Sequence, residues 1–470
     1  MAEEKTLRKL EKRRRFEEKQ YKKVSRLMEA RQPAYYFAIT ILLIILVDLL
    51  DNFTTSSTEN ITSSIITDFF VNGRLFGRSY TYEEGLSIHN SLSLLVKLTA
   101  IGAPFYKALG DKYGRKPLLA ISTCGMAAGM LIIYISRTYP LYLFGTVVMT
   151  FFLGADIQII YVLEESPAKY RATIYSVLKA IGAMGVVFIP LLRKLVMQND
   201  ATQWREIFKL PGLVGLGVAV LVLLFAKETR VFLKQKHDYL SVPLEVRLEK
   251  ERQEKLEKKA NTNKNGVFNA IRYIWQHKEI RILILTKTIF DAALVAMTYY
   301  ESVMFRAGMS TENITTAEFF YPFLYAAALL VSGFVADKSG RKNTIQIFGG
   351  ICVVSYLLFI YSANRLMSPV LVGCMYGLYL GGYWIGRDYM QIMATEMVPT
   401  DIRASVIGGS AFFMLAGMVF GYAFMAVSVL FIPIWLACSL LAVPLVTLSI
   451  LLLTFKVRET KGTDYEAIKG

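Results

Sequence analysis

Nine charged side chains stand out among those inside long apolar runs of this sequence: Asp48, Asp51, Lys97, Asp156, Lys179, Lys287, Asp291, Arg387 and Asp388. A carboxylate deprived of water favours its protonated form, and a nearby cation restores the ionised one. Acids that cations can approach and leave are therefore suited to taking up and releasing protons. Asp48 and Asp51 stand at i,i+3 and share a helix face, as do Lys287 and Asp291 at i,i+4. Asp48, Asp51 and Asp156 are the candidate proton carriers. Lys97, Lys179, Lys287 and Arg387 are suited to holding a carboxylate or phosphate, with Asp291 and Asp388 beside them. Five acids oppose four cations, so the set is not positive on balance. Tyr299, Tyr300, Tyr379, Tyr383 and Trp384 stand nearby, able to stack on a ring, bond a hydroxyl, or simply pack. Of these, Tyr383 is taken as a candidate solute contact.

The elements that carry these groups follow from hydropathy. The chain has 470 residues, 54% of them hydrophobic, too apolar for a water-soluble fold of that length. Crossing a hydrocarbon core takes about 20 apolar residues as a helix. Twelve such segments are predicted, at 35–56, 86–108, 117–136, 141–163, 172–192, 211–226, 279–303, 316–335, 344–362, 368–394, 404–427 and 430–454. Continuous rather than alternating apolarity selects helices over a barrel. The expected class is an all-α membrane protein of twelve spanning helices in two six-helix halves.

The net charge of +16 resides mostly in connections at 109–117, 164–171, 228–278, 336–343 and 395–403. With twelve spans these all share one side with both termini. An excess of Lys and Arg marks that side as cytoplasmic, in a plasma (inner) membrane. Topology absorbs the basic charge, so nucleic acid is not an expected partner. The expected partners are a small solute, protons and the bilayer, around a monomer. The division is an N-terminal segment 1–34, a first half 35–227, a connection 228–278, a second half 279–456 and a tail 457–470. Within the connection, "VFNAIRYIWQHKEI" reads as a basic amphipathic helix lying at the interface. The charged start of the chain carries no cleavable signal.

At about 1.5 Å per residue, Lys97, Asp156, Lys179, Lys287, Arg387 and Asp388 lie roughly 10–18 Å from the basic boundary, and Asp48 roughly 20 Å. The charges therefore gather at mid-bilayer. The third, sixth, ninth and twelfth segments carry none of them.

Three landmarks repeat. "GDKYGRKP" at 110–117 is similar to "ADKSGRKN" at 336–343, "EESPAKYRA" to "EMVPTDIRA", and "KETR" to "RETK". Asp111 and Asp337, Glu164 and Glu396, and Glu228 and Glu459 are 226, 232 and 231 residues apart. Each pair follows the equivalent segment, the second, fourth or sixth of its half. The chain is thus two related halves, an arrangement that places a solute site between them.

These residues carry a resemblance to the major facilitator superfamily. "GFVADKSGRK" fits its loop signature, and the first copy keeps Asp111, Gly114, Arg115 and Lys116, with Lys107 where the signature has Gly. The Glu-x-x-Pro-x-x-x-Arg elements and "RETKG" resemble the sugar-porter and metabolite–proton symporter branches. "DLLD" and "GAD" resemble elements of phosphate–proton and aromatic-acid–proton symporters, where the acids carry protons or bind solute. The resemblance implies that Asp111, Arg115, Glu164 and Arg171, and Asp337, Arg341, Glu396 and Arg403, form charge networks that stabilise one conformer.

The sequence has no Walker element, nucleophile elbow or metal-ligand cluster, and its three histidines are far apart. Neither an enzyme nor a cofactor is expected. The expectation is proton-coupled movement of a small polar, anionic organic solute by alternating access. A sugar or polyol carrier, and a transporter-like sensor without net flux, remain as alternatives.

Overall fold

The structure is a computed structural model. It describes residues 2–29, 34–73, 75, 77–99, 106, 109–110, 113–153, 157–165, 171–197, 201–250, 253, 267–398 and 403–460. Helix occupies part or all of every expected segment, and no named strand occurs among the described residues.

Among the described residues, seven helices are long and apolar enough to cross a membrane on their own: Ala38–Ser57, Arg115–Ile135, Gln203–Phe225, Thr311–Ala336, Arg341–Asn364, Gly409–Ser428 and Ile434–Lys456. They correspond to the first, third, sixth, eighth, ninth, eleventh and twelfth spans. The second (Tyr82–Leu98), fourth (Tyr139–Leu153 and Ile157–Glu165), fifth (Arg171–Ala183 to Phe188–Val196), seventh and tenth (Pro369–Glu396) are shorter, broken or charged. Each of these five carries at least one of the nine charges.

The first span continues past Ser57 through Glu59–Ile61 and Thr62–Ile66 to a wide turn at Thr67–Val71. Its counterpart, the seventh, breaks in the same way into Lys278–Ala292, Leu294–Met297 and Tyr300–Arg306. Discontinuous helices free backbone groups, so within a bilayer they are tolerated only where protein covers them or a cavity lies beside them. Thr62, Ser63, Ser64, Glu301 and Ser302 at these breaks are all buried.

Outside the spans, the charged N-terminal residues form a helix, Ala2–Glu29, that lies against Arg230–Ser241. Arg247 reaches Glu17 at 2.7 Å, and Tyr21 stacks on His237. Burial pushes the Glu17 carboxyl up, but hydrogen bonds from Arg13 and Arg247 outweigh it and hold it below its usual range. The amphipathic segment forms Val267–Gln276 and packs on the eleventh span, Arg403–Ser428, with Trp275 edge-on to Phe413.

The third and ninth spans begin alike. Gly114 and Gly340 precede them with φ/ψ of 107°/162° and 94°/170°. This region is essentially reserved for glycine, and an L side chain there costs on the order of 1–3 kcal/mol. A Cβ would also press on the carboxylate of Glu228 at Gly114 and of Glu459 at Gly340. Gly114→Ala and Gly340→Ala are each expected to destabilise the protein by about 1–3 kcal/mol, read as a lowered thermal midpoint. An unchanged midpoint would show that these turns are relaxed.

Candidate functional site

In the first half, Asp48 lies on the first span, fully buried, with Oδ1 3.3 Å from Nζ of Lys179 and 3.5 Å from Nε2 of Gln158. These partners come from the fifth and fourth spans. The first and fifth spans meet this closely because Gly182 has no side chain: a Cβ there would overlap Asp48 Oδ2. Asp51, one turn on, is also buried. Lys179 remains part-exposed.

In the second half, Asp291 of the seventh span holds two cations. Lys287 Nζ is 2.6 Å from one oxygen, and Arg387 Nε of the tenth span is 3.0 Å from the other. Arg387 also lies over the Trp384 ring at 4.9 Å. Asp388 is exposed, within electrostatic reach of Arg387, Lys287 and, from the other half, Lys179. Tyr383 is buried, stacks on Phe290 at 4.7 Å and donates to its backbone carbonyl. The sequence placed this tyrosine beside solute, and its described contacts are with the seventh span.

Lys97 stands apart from these groups. It pairs with Glu59 at 3.6 Å, beside a small pocket between the first, second, fourth, seventh and eleventh spans. Hydroxyl and amide groups dominate that lining, among them Thr54, Thr58, Thr62, Asn90 and Ser93. Among the described residues, no cluster of three or more His, Cys, Asp or Glu is placed to hold a metal ion.

The repeated charges of the basic face form twin networks. Arg115 meets Glu164 at 2.8 Å, and Arg341 meets Glu396 at 3.2 Å. Thr229 donates its hydroxyl to Glu164, and Thr460 donates to Glu396. Glu228 accepts from the amides of Arg115 (2.7 Å) and Lys116, and Glu459 from those of Arg341 and Lys342, both at 3.0 Å. Each carboxylate thus caps a helix N-terminus, where unpaired amides and the helix dipole favour negative charge. Burial pushes the Glu228 carboxyl above its usual range, and the amides it accepts from oppose that shift. Asp111 and Asp156 lie outside the described residues. Arg171, Asp337 and Arg403 sit in described helices, but their side chains are outside the description.

Sequence reasoning missed a third cluster, at the opposite face. Arg193, one residue beyond the fifth predicted segment, is buried with Nη1 3.1 Å from both oxygens of Glu318 and Nη2 3.5 Å from Glu301. Glu301 also accepts from the amide of Ser63 at 2.9 Å and from its hydroxyl. Glu301 and Glu318 lie inside the seventh and eighth apolar segments, so the intramembrane-charge criterion should have caught both. Glu59 escaped because it lies just beyond the first segment. The cluster joins the two halves, and other bridges sit near it: Ser87 donates to Ala426 O at 2.6 Å, and Arg306 pairs with Glu83.

Comparison with known proteins agrees with this geometry. The profile of the Major Facilitator Superfamily matches residues 34–386. The minor myo-inositol transporter IolF of Bacillus subtilis (strain 168) is 24% identical over 334 residues, covering 69% of this chain and 71% of that one. The alpha-ketoglutarate permease of Escherichia coli (strain K12) is 23% identical over 344 residues, covering 68% and 72%. A crystal structure of a D-xylose-proton symporter shares the fold, with a TM-score of 0.67 at 15% identity, covering 91% of this chain and 99% of that one.

Asp291→Asn would leave Lys287 and Arg387 facing each other without their shared carboxylate. Breaking a buried pair in this way costs about 3–5 kcal/mol. Asp48→Asn removes the charge partner of Lys179, which is part-exposed and so reached by water, and should cost clearly less. Thermal unfolding of the two purified variants checks the order, and equal losses would contradict the pairing described.

Proposed function

This chain belongs to the major facilitator superfamily, and we propose that it moves a small polar, anionic organic solute by alternating access, driven by protons. The observation that carries this reading is the pair of aspartates on equivalent spans. Asp48 on the first and Asp291 on the seventh are each buried against cations. Solute and proton then compete for the same groups. A solute carboxylate that engages Lys179 withdraws that cation from Asp48, while Arg387 can turn to solute and leave Asp291 with Lys287. The freed carboxylate, without water or cation, is stabilised by taking a proton. Anion and proton so enter together with little net charge, which keeps the cost of burial low.

Asp48 and Asp51 carry the proton in this scheme, with Asp156 assisting. Lys97, Lys179, Lys287, Arg387, Asp291, Asp388 and Tyr383 shape the solute site. The Arg115–Glu164 and Arg341–Glu396 networks, with Asp111, Arg171, Asp337 and Arg403, hold the basic face in one conformer. That face is the cytoplasmic one, with both termini on it, in a plasma (inner) membrane, and the working unit is a monomer of two halves, 35–227 and 279–456. One relative being named for a dicarboxylate, alpha-ketoglutarate, supports an anionic solute.

A second reading, a polyol or sugar as solute, is favoured by one observation. The pocket beside Lys97 carries hydroxyl and amide side chains, among them Thr54, Thr58, Thr62, Asn90 and Ser93, and its Lys97 is already paired with Glu59. Another relative is named for myo-inositol. Uptake of labelled 2-oxoglutarate and myo-inositol into proteoliposomes under an inward proton gradient separates the two. The anion reading predicts accumulation of the first and not the second.

Asp48→Asn and Asp51→Asn are expected to abolish accumulation driven by the pH gradient while sparing counterflow exchange. If both variants concentrate solute like the wild type, these residues do not carry the proton.

A further inference from the structure

We infer that Arg193, Glu301 and Glu318 form a proton-binding latch between the halves: closure of the opposite face captures one proton on the two carboxylates, and opening releases it. The argument is one of charge and geometry. Two carboxylates and one guanidinium meet in a space where Arg193 is 3% exposed and both glutamates 0%. Arg193 is on the fifth span, Glu301 on the seventh and Glu318 on the eighth, so the contact exists only while the halves are together here.

Among the described residues, the neighbours do not supply a second cation. The first span contributes Ser63, which donates to Glu301, and Asn60, whose carbonyl accepts from Arg193 at 2.8 Å. Its Glu59, a further acid, acts electrostatically on the adjoining tyrosines and is held by Lys97. Tyr82 of the second span, Tyr300 of the seventh, Tyr321 of the eighth and Tyr376 of the tenth face the carboxylates as neutral hydroxyls. Arg306 is engaged at the exposed rim by Glu83. With both glutamates ionised, the closed cluster would hold an uncompensated buried negative charge, which is strongly unfavourable. One bound proton removes it. Glu301 has the donors of an ionised group, two from Ser63 and one from Arg193, whereas Glu318 relies on Arg193 alone. The proton therefore resides on Glu318. Once the face opens, both carboxylates meet water and ionise at neutral pH.

The consequence is that acidity at the opposite face favours its closure. This rests on alternating access, and on neither the identity of the solute nor its coupling to protons. Hydrogen exchange of the full-length protein in lipid nanodiscs, without solute, tests it. Labelling times are scaled to the intrinsic exchange rate at each pH. Protection of the helix ends 59–71, 188–196 and 300–320 is expected to fall by about tenfold or more between about pH 5.5 and pH 8.5. Glu318→Gln, a neutral mimic, should keep them protected at both values, and Glu312→Gln, at an exposed carboxylate where the eighth span begins, should leave the wild-type response. Wild-type protection that does not change with pH, or a loss of protection in Glu318→Gln, would overturn the latch. The wild-type series decides even if the variant does not fold. A failure of solute uptake would leave these readings untouched.

Discussion

An ionised side chain in hydrocarbon must be met by its opposite, and in this protein the identity of that partner decides which parts move together. Asp48–Lys179, Asp291 with Lys287 and Arg387, Arg115–Glu164 and Arg341–Glu396 are all closed within one half. Such pairs travel with a rigid body and survive its rotation. Arg193 with Glu301 and Glu318 is closed between halves and cannot survive separation at that face. The fold thus makes most of its costly charge pairs independent of contact between the halves and leaves the Arg193 cluster dependent on it.

The basic-face networks show the same economy twice. A helix N-terminus presents amides without acceptors, and here the carboxylate that answers them comes from the end of the same half. Glu228 does so for the third span and Glu459 for the ninth, while Arg115 and Arg341 turn their guanidinium groups to Glu164 and Glu396. Related geometry in both halves, with glycine at the same left-handed turn, means that a motif read as a loop signature is a capping device.

The architecture was legible in the sequence because hydropathy and charge are one-dimensional signals. The resemblance to the family put Arg115 and Glu164, and Arg341 and Glu396, in charge networks, and segment positions and the repeat offsets could be read from spacing. Partner choice at mid-membrane could not. Lys97 was grouped with the central charges, yet it meets Glu59, because a helix's rotation and depth are set by packing rather than by its own sequence. Arg193 falls just outside a predicted segment, and its carboxylate partners are more than a hundred residues away. Tyr383 was taken for a solute contact on chemistry alone, and stacking on Phe290 occupies one of its faces.

The caps also bear on how the protein is made. Glu228 can reach the amides of Arg115 and Lys116 only after the sixth span has been synthesised, so the clasp is the last event in the first half. No residue of the second half is needed for it. Glu459 repeats this at the close of the second half. Each half is therefore sealed by its own final residues, and a growing chain can complete and lock one repeat in the bilayer before the other exists, as expected when domains fold as units during synthesis.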